Sequence, residues 1–350
     1  MATSSKSANR LWYGLHAIAL PLTLGASISF YLGSAFMSFL APLAIALPVL
    51  FIWHAVIGGL ALSRLHHSAL LAIAILTAIS PQWMPFMAYQ SAKTPHPSSI
   101  RIATWNVHQW RNASWTDTEV TEARMQQNAL DLHADILAIQ ENRLGSGPQR
   151  ALEGWYPYHT EHIDQGLQIF SQYPIRQWNF EAFEADYPGH RGFVWADIET
   201  PQGLVRVVNV HLVTTTFVAR EAEAERDSAG ISTSLFRGAW KLTRTAKVRA
   251  QQVDQILAWA DQSERPGLLF LGDFNDAPSS NTAFCMGGWQ DAFSQRGRGF
   301  GSTYSGVWGF PLRIDWVLFE PEWEAVDMRR VVQGDSDHHP IWVDLGPAKP

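Results

Sequence analysis

The sequence predicts an α+β sandwich domain preceded by a bundle of three membrane-spanning helices. Three observations carry this reading. Residues 1–88 hold no Asp or Glu and only three basic side chains, Lys6, Arg10 and Arg64. Within them three apolar stretches follow one another, each near the roughly 20 residues that cross about 30 Å of hydrocarbon. From Arg101 the pattern changes to short β runs alternating with helical ones, the mixture of a two-layer or sandwich domain. The expected boundaries are a membrane domain over 1–90, a linker over 91–100 and a domain over 101–350.

The membrane segments are placed at about Leu11–Gly33, Phe36–Leu62 and Ala69–Ala88. The first is too long for the apolar core of a signal peptide and has two similar successors. Pro21, Pro42 and Pro48 are tolerable where neighbouring helices pack around them. Pro81 and Pro85 interrupt the end of the third. Positive charge marks the N-terminal tail and the second connection, which carries Arg64 with His66 and His67. This puts both in the cytoplasm and everything after residue 90 on the other side, periplasmic or extracellular in a bacterium. Trp83, Met84, Phe86 and Tyr89 suit an interfacial belt, and "QSAKTPHPSSI" is a Pro/Ser linker.

In the domain, "RIATWNV" reads as a strand ending at Asn106, "EVTEARMQQNALDLHA" as a helix and "DILAIQEN" as a strand ending at Gln140-Glu141. "GLQIFSQYPI" is a strand and turn. "FVWADIET-PQG-LVRVVNVHLV" is a hairpin whose second strand ends at Asn209 and His211. "KVRAQQVDQILAWADQ" is an amphipathic helix that leads into "GLLFLGDFNDA". "RIDWVLF" and "HPIWVDL" close the series as strands.

Composition narrows the chemistry. The net charge is −6, and all 32 acidic but only 23 of the 26 basic residues lie after residue 88, a net of −9. So acidic a domain is poorly suited to bulk binding of a phosphate backbone. The lone Cys285 excludes an internal disulfide and a cysteine-based structural metal site.

Polar side chains recur at the ends of the apolar strands: Asn106, Glu141, Asn209 with His211, Asp273 with Asn275, Asp315, and Asp337 with His338. Each alone is an ordinary strand cap or turn. Six sets at strand ends, which share a rim in a sandwich, can converge. Carboxylates and amides without cysteine suit a hard cation held by oxygen, Mg²⁺ or Mn²⁺.

"TWNV", "AIQEN", "VVNVHL", "LGDFND", "RIDWVLF" and "SDHHPIWVDL", in this order, resemble the endonuclease/exonuclease/phosphatase superfamily over about residues 100–346. The resemblance implies a four-layer α/β sandwich, two mixed sheets flanked by helices, and Mg²⁺-dependent phosphoester hydrolysis. It assigns Glu141 to the metal with Asn106 beside it, and Asp337 as the second acid there. His211 would contact the scissile phosphate. Asp273 and Asn275 would orient the attacking water. Asp315 would hydrogen-bond His338, and either Asp273 or His338 would take the proton from water. His339 reads as a structural or surface residue.

Asn209, Arg191 and Arg313 are weaker candidates for substrate contact. The 214–246 insert ends in "STSLFRGAWKLTRTAK", where apolar and basic residues interleave, fitting either an interfacial segment or an ordinary surface helix. The Gly-rich "RGRGFGSTYSGVWGFPLR" reads as a substrate-side loop. Three helices before such a domain resemble the membrane-anchored bacterial branch associated with teicoplanin resistance. That likeness implies a lipid bilayer as partner and a lipid-linked pyrophosphate, such as undecaprenyl pyrophosphate, as substrate. Another lipid phosphodiester ranks second, nucleic acid third, and a catalytically dead binding module last.

Overall fold

The computed structural model describes residues 2–32, 38–112, 114, 119–163, 166–184, 192–215, 231–262, 266–305, 312–332 and 335–348. Two compact units divide the chain. One takes in Met1–Pro85, Thr215–Gln251 and Ala277–Cys285; the other takes in Phe86–Thr214, Gln252–Asp276 and Met286–Pro350.

The first unit is helical: α1 (Ala2–Leu32), α2 (Ala41–Ser63), α3 (Ser68–Ala78) and the single turn α4 (Ser80–Trp83). Two of its stretches, Arg10–Leu32 and Ser38–Ser63, are long and apolar enough to cross a membrane. The expected third span is a bent pair, Ser68–Ala78 and Ser80–Phe86, meeting at 59°. Pro81, in the first turn of α4, offers no N–H to continue the helix through Ile79, which accounts for the break. The bundle is close-packed at small residues: a Cβ on Gly58 would lie 2.4 Å from the Ala72 Cβ. Its buried polar groups meet one another, with His16 Nδ1 3.0 Å from His54 Nδ1 and His54 Nε2 3.0 Å from Thr23 Oγ1. Ile18, Leu22, Ile28, Val49, Ile52, Val56 and Leu60 are exposed, whereas His16, Thr23 and His54 are fully buried.

The second unit is built on two mixed six-stranded sheets. Its strands are β1 (Met87–Tyr89), β2 (Ile100–Asn106), β3 (Ile136–Gln140), β4 (Tyr158–His159), β5 (Gln168–Ser171), β6 (Ile175–Ala182), β7 (Gly192–Thr200) and β8 (Gly203–His211). After these come β9 (Gly267–Asp273), β10 (Gln290–Asp291), β11 (Arg298–Phe300), β12 (Asp315–Phe319), β13 (Trp323–Arg330) and β14 (Ile341–Pro347). Sheet order is β13-β14-β2-β3-β5-β4 in one sheet and β10-β12-β9-β8-β7-β6 in the other, with a small β1–β11 pair apart. Among the described residues, only β2–β3 and β8–β9 pair in parallel. Those central strands are buried on both faces, as continuous apolar runs should be.

The remaining helices are α5 (Glu119–Leu130), α6 (Gly147–Trp155), α7 (Ile231–Gln262), α8 (Asn281–Cys285) and α9 (Ala292–Arg296). Alternation sorts the side chains. Ile100, Ile102, Ile136 and Ala138 of one sheet share a core with Val205, Val207, Leu269, Leu271 and Val317 of the other. The opposite face of the first sheet, with Ala103, Trp105, Leu137 and Ile139, packs on Met125, Ala129 and Leu152 from α5 and α6. On the second sheet, Phe193 and Trp195 meet Trp259 of α7. Two face-to-face sheets flanked by helices therefore replace the vaguer sandwich that periodicity alone allows. The described part of the 214–246 insert from Ile231 onward is the first half of α7, with Trp240 exposed on it.

Candidate active site

The parity that buries the core also builds the site. Following the inward-facing residues to the strand ends gives Ile102, Thr104 and Asn106 on β2, and Ala138 then Gln140 on β3. The same step gives Val207, Asn209 and His211 on β8, Leu271 then Asp273 on β9, and Val317 then Asp315 on β12. Register aligns them. His211 pairs with Asp273 across β8–β9, and Asp273 with Asp315 across β9–β12. Three strands thus put three functional side chains in one row. Gly272 makes this possible: its φ is +137° and a Cβ would lie 2.0 Å from the Val210 carbonyl oxygen.

Asn106 ties the two sheets together. Its Nδ2 donates to Glu141 Oε1 and to Asp273 Oδ2, both at 3.0 Å, while its Oδ1 accepts from the His108 N–H. It therefore turns its amide N–H₂ group toward the carboxylates of Glu141 and Asp273. Asp273 Oδ1 accepts from the Asn275 N–H at 2.8 Å. Its Oδ2 lies 3.6 Å from His211 Nε2 and 3.7 Å from His338 Nε2. Asn275, at φ +52°, anchors its side chain on the Leu212 carbonyl. Asp315 accepts from His338 Nδ1 at 2.9 Å, the dyad that the sequence motif implied.

Burial raises the Asp273 carboxyl to about 7; the Asp315 charge also raises it, against the opposing pull of His338 and the Asn106 and Asn275 hydrogen bonds. For His338, burial works against the charged form, but Asp315, Asp273 and Asp337 outweigh it and hold the imidazole well above its ordinary 6.5. Burial first, and then Asp337, Asp273 and Glu141, raises Tyr304, whose ring lies 4.8 Å from that of His338.

The donor set fits a metal. Glu141 and Asp337 are the more open acids, with side chains 26% and 11% exposed against 1% for Asp273. A Glu141 oxygen lies 3.9 Å and an Asp337 oxygen 3.3 Å from His108 Nδ1. Among the described residues, the group whose geometry could hold an ion is Asp273, Asp315 and His338, whose ligand atoms lie within 4.8 Å of one another. Within this group His338 Nδ1 bonds Asp315 at 2.9 Å and its Nε2 lies 3.7 Å from Asp273 Oδ2.

Sequence reasoning missed four contributors. His108 opens a left-handed turn with Gln109 and Trp110, φ +48°, +56° and +63°, a conformation that non-glycine residues rarely adopt. Ser336 donates to the Asn106 carbonyl and accepts from the His338 N–H. Thr303 Oγ1 accepts from the Ile314 and Asp315 N–H groups. Tyr304 covers His338. The only signal for Ser336 was its place in "SDHH"; the others had none.

Two weaker candidates fall away. Asn209 is fully buried, donating to the Ile139 and Gln168 carbonyls and accepting from Gln140, so it stitches the sheets and meets no substrate. Arg313 is buried in a two-pronged pair with Asp291 at 3.0 and 2.9 Å. Arg191 lies outside the described residues, as do positions 306–311 of the Gly-rich stretch. His339 donates its backbone N–H to the Thr303 carbonyl.

Comparison with known proteins agrees with this geometry. The model of the Endonuclease/Exonuclease/phosphatase family matches residues 103–338. Among solved structures, an endonuclease/exonuclease/phosphatase from Beutenbergia cavernae is similar at 18% identity and TM-score 0.53, covering 71% of this chain and 72% of that one. The 3′ phosphatase NExo from Neisseria, bound to product DNA hairpin, gives 20%, 0.50, 71% and 99%. Sphingomyelinase C from Streptomyces griseocarneus gives 19%, 0.50, 72% and 99%. No curated protein matches the chain.

Proposed function

The chain belongs to the endonuclease/exonuclease/phosphatase family and is a phosphoester hydrolase; from that premise we propose that it is membrane-anchored and Mg²⁺-dependent, cleaving a lipid-linked phosphate or pyrophosphate at the outer face of the membrane. Undecaprenyl pyrophosphate is the specific candidate. The four-layer stacking of helix, sheet, sheet and helix belongs to this reading too. One observation carries it. The helical unit exposes Ile18, Leu22, Val49, Ile52 and Val56 while burying His16, Thr23 and His54, the inverse of a water-facing bundle. The chain therefore joins a phosphoesterase site to helices suited to lipid.

In this reading Glu141 and Asp337 hold the cation, which when bound neutralises charge on the phosphate oxygens. Asp273 orients the attacking water and takes its proton, since a carboxyl at about 7 is half ionised near neutral pH. The carboxylates of Asp315, Asp273 and Asp337 favour the charged form of His338, which suits it to stabilise phosphoryl charge. Asp315 holds it in the orientation that requires. His211, 3.8 Å from Glu141, faces the same space and assists the leaving oxygen.

The test is Mg²⁺-dependent phosphate release from undecaprenyl pyrophosphate by the full-length protein in detergent. Asp273→Ala serves as the blank, with plasmid DNA and sphingomyelin as parallel substrates. Release lost in the variant, with DNA intact, is the expected result. DNA cleavage without phosphate release would make this a tethered nuclease. Turnover of sphingomyelin alone would make it a lipid phosphodiesterase.

A further inference from the structure

Glu141 stands just beyond β3 in a left-handed conformation, φ +55°. A residue of this kind keeps that backbone only where its surroundings over-determine it. The carboxylate does little of that work. Among the described residues one hydrogen bond reaches it, from Asn106 Nδ2 to Oε1 at 3.0 Å. The main chain and its neighbours supply the rest, and they do so from two sides. After β2, the left-handed turn His108–Trp110 closes on the segment. The Val107 N–H donates to the Gln140 carbonyl and the Gln109 N–H to the Glu141 carbonyl, both at 3.0 Å. Trp110, fully buried, donates its indole Nε1–H to Asn142 Oδ1 at 2.7 Å.

The other side is held by the chain that leads into β5. The Asn142 N–H donates to the Gly166 carbonyl at 3.0 Å, and Asn142 Nδ2 donates to Gln168 Oε1 at 2.8 Å. His162 Nε2 lies 2.8 Å from the Asn142 carbonyl. Gln168 is fixed in turn, donating to the Thr160 carbonyl at 3.1 Å. The N–H, the carbonyl, Oδ1 and Nδ2 of the buried Asn142 therefore all have partners. Gly166 presses on the same peptide. A Cβ there would lie 2.1 Å from the Asn142 nitrogen and 2.6 Å from the Glu141 carbonyl carbon, and its φ is +72°. Only glycine fits so close an approach in that conformation.

We propose that Trp110, Asn142 and Gly166 form a clamp that positions Glu141. They are positioning residues, acting on the site only through that side chain, and the proposal rests on the reading of Glu141 as a holder of the cation. The chemistry makes sense of a grip on the main chain. A carboxylate oriented by many donors would have its lone pairs occupied, whereas one aimed through its backbone keeps them for an ion. Every contact in the clamp lies within the sandwich unit. Residues one step behind a metal ligand commonly change metal affinity about 10- to 100-fold when they are removed.

The two ends of the clamp can be loosened in different ways. Trp110→Phe deletes the indole donor and keeps an aromatic ring in the core. Gly166→Ala removes no hydrogen-bonding group and pushes directly on the Glu141–Asn142 peptide. Tyr156→Phe is the control for mere destabilisation. Tyr156 is buried in the same core cluster as Trp110, and its hydroxyl donates to the Ala134 carbonyl, which takes no part in the clamp. Full-length wild type, these three variants and Glu141→Gln would be purified metal-free in detergent. Each would be compared by Tm, by Mn²⁺ affinity in titration calorimetry and by hydrogen exchange over residues 139–143.

We expect Trp110→Phe and Gly166→Ala to weaken Mn²⁺ binding about tenfold or more and to raise exchange over 139–143. Tyr156→Phe should lower Tm yet bind Mn²⁺ as wild type does. Glu141→Gln should lose affinity while its exchange stays protected, since the clamp grips the main chain. Clamp variants that bind Mn²⁺ like wild type, where Glu141→Gln does not, would overturn the proposal. So would a Tyr156→Phe that weakens binding as much as they do, because the loss would then report a loosened core. Should one clamp variant not fold, the other decides. If Glu141→Gln leaves Mn²⁺ affinity unchanged, the cation reading of Glu141 has failed, and exchange alone judges the clamp. Exchange raised in the clamp variants but not in Tyr156→Phe would then uphold it, and wild-type protection would overturn it.

Discussion

The two units of this chain bury opposite things. In the helical unit the buried histidines, His16 and His54, meet each other and Thr23, while isoleucine, leucine and valine are exposed on the outer surface. In the sandwich unit aliphatic side chains fill the space between the sheets, and one of its buried histidines, His338, faces Asp315, Asp273 and Asp337. The same imidazole meets a hydroxyl and a second ring in one setting and carboxylates in the other. Burial therefore says little about function until the partners are named. A buried polar group bonded only to neutral partners specifies packing; one placed among like charges that cannot all be satisfied marks chemistry.

The largest break in this comparison is Asp273→Asn. The substitution keeps the shape and removes the charge, so kcat should fall by about 10³-fold or more, in line with the loss of a proton acceptor and its orienting contacts. Stability should move the other way. The folded-state value of Asp273, about 7, lies above its ordinary 3.8, so the native state holds this proton more tightly than the unfolded chain. Its contribution is full below about pH 4 and is lost as pH rises through 7. His338, raised above 6.5, adds a contribution of the same sign, present below 6.5 and lost as pH climbs through its folded value. Metal-free wild type should therefore lose Tm steadily from pH 4 upward. The Asn variant should show a flatter profile up to pH 7, measurable by calorimetry. A wild-type Tm that rises across that window would refute the assignment.

A smaller effect is expected from Ile52→Asp, on the exposed face of α2. On a water-facing helix the change would be nearly free. In hydrocarbon, an aspartate near mid-helix costs about 3 kcal/mol. The variant should therefore accumulate several-fold less in the membrane fraction, while what does insert keeps wild-type kcat. Equal recovery in the membrane and no loss of Tm would remove the main physical argument for lipid around this bundle.

Legibility followed the same division. The ends of β2, β3, β8, β9 and β12 could be read because alternation carries an inward residue to each end, and Asn106, His211, Asp273 and Asp315 all obey it. Glu141 does not. It follows the strand in a left-handed conformation, φ +55°, and only the motif betrayed it. Thr303 and Ser336 were invisible because their work is done by backbone groups far away in sequence, and no periodicity encodes that. The interruption of the third membrane segment could be read from Pro81 and Pro85, but its 59° bend could not, because hydropathy averages over a window whereas Pro81 acts on one hydrogen bond. Asn209 shows the converse failure: parity brought it to the right strand, one step too deep to be open.

The smallest expected effect on catalysis is the one that separates charge placed for structure from charge placed for chemistry. Arg313 precedes the catalytic strand by two residues, and its position next to the "RIDW" motif makes it look like a phosphate clamp. Its geometry argues otherwise. Both terminal nitrogens are committed to Asp291, the guanidinium lies 5.0 Å over the Phe293 ring, and its side chain is only 6% exposed. Asp291 in turn caps the Phe293 N–H at the start of α9, so the pair locks a helix end. Arg313→Met keeps the stem that packs on Phe293 and removes the charge, leaving Asp291 unpaired in a largely buried place. A stability loss of about 3 kcal/mol follows from uncovering such a partner, read as a lower Tm at any substrate concentration. KM for the phosphoester should stay within twofold. A KM raised tenfold or more at unchanged Tm would return Arg313 to the substrate. It would also mean that a buried guanidinium with both terminal nitrogens committed to Asp291 can still serve a phosphate.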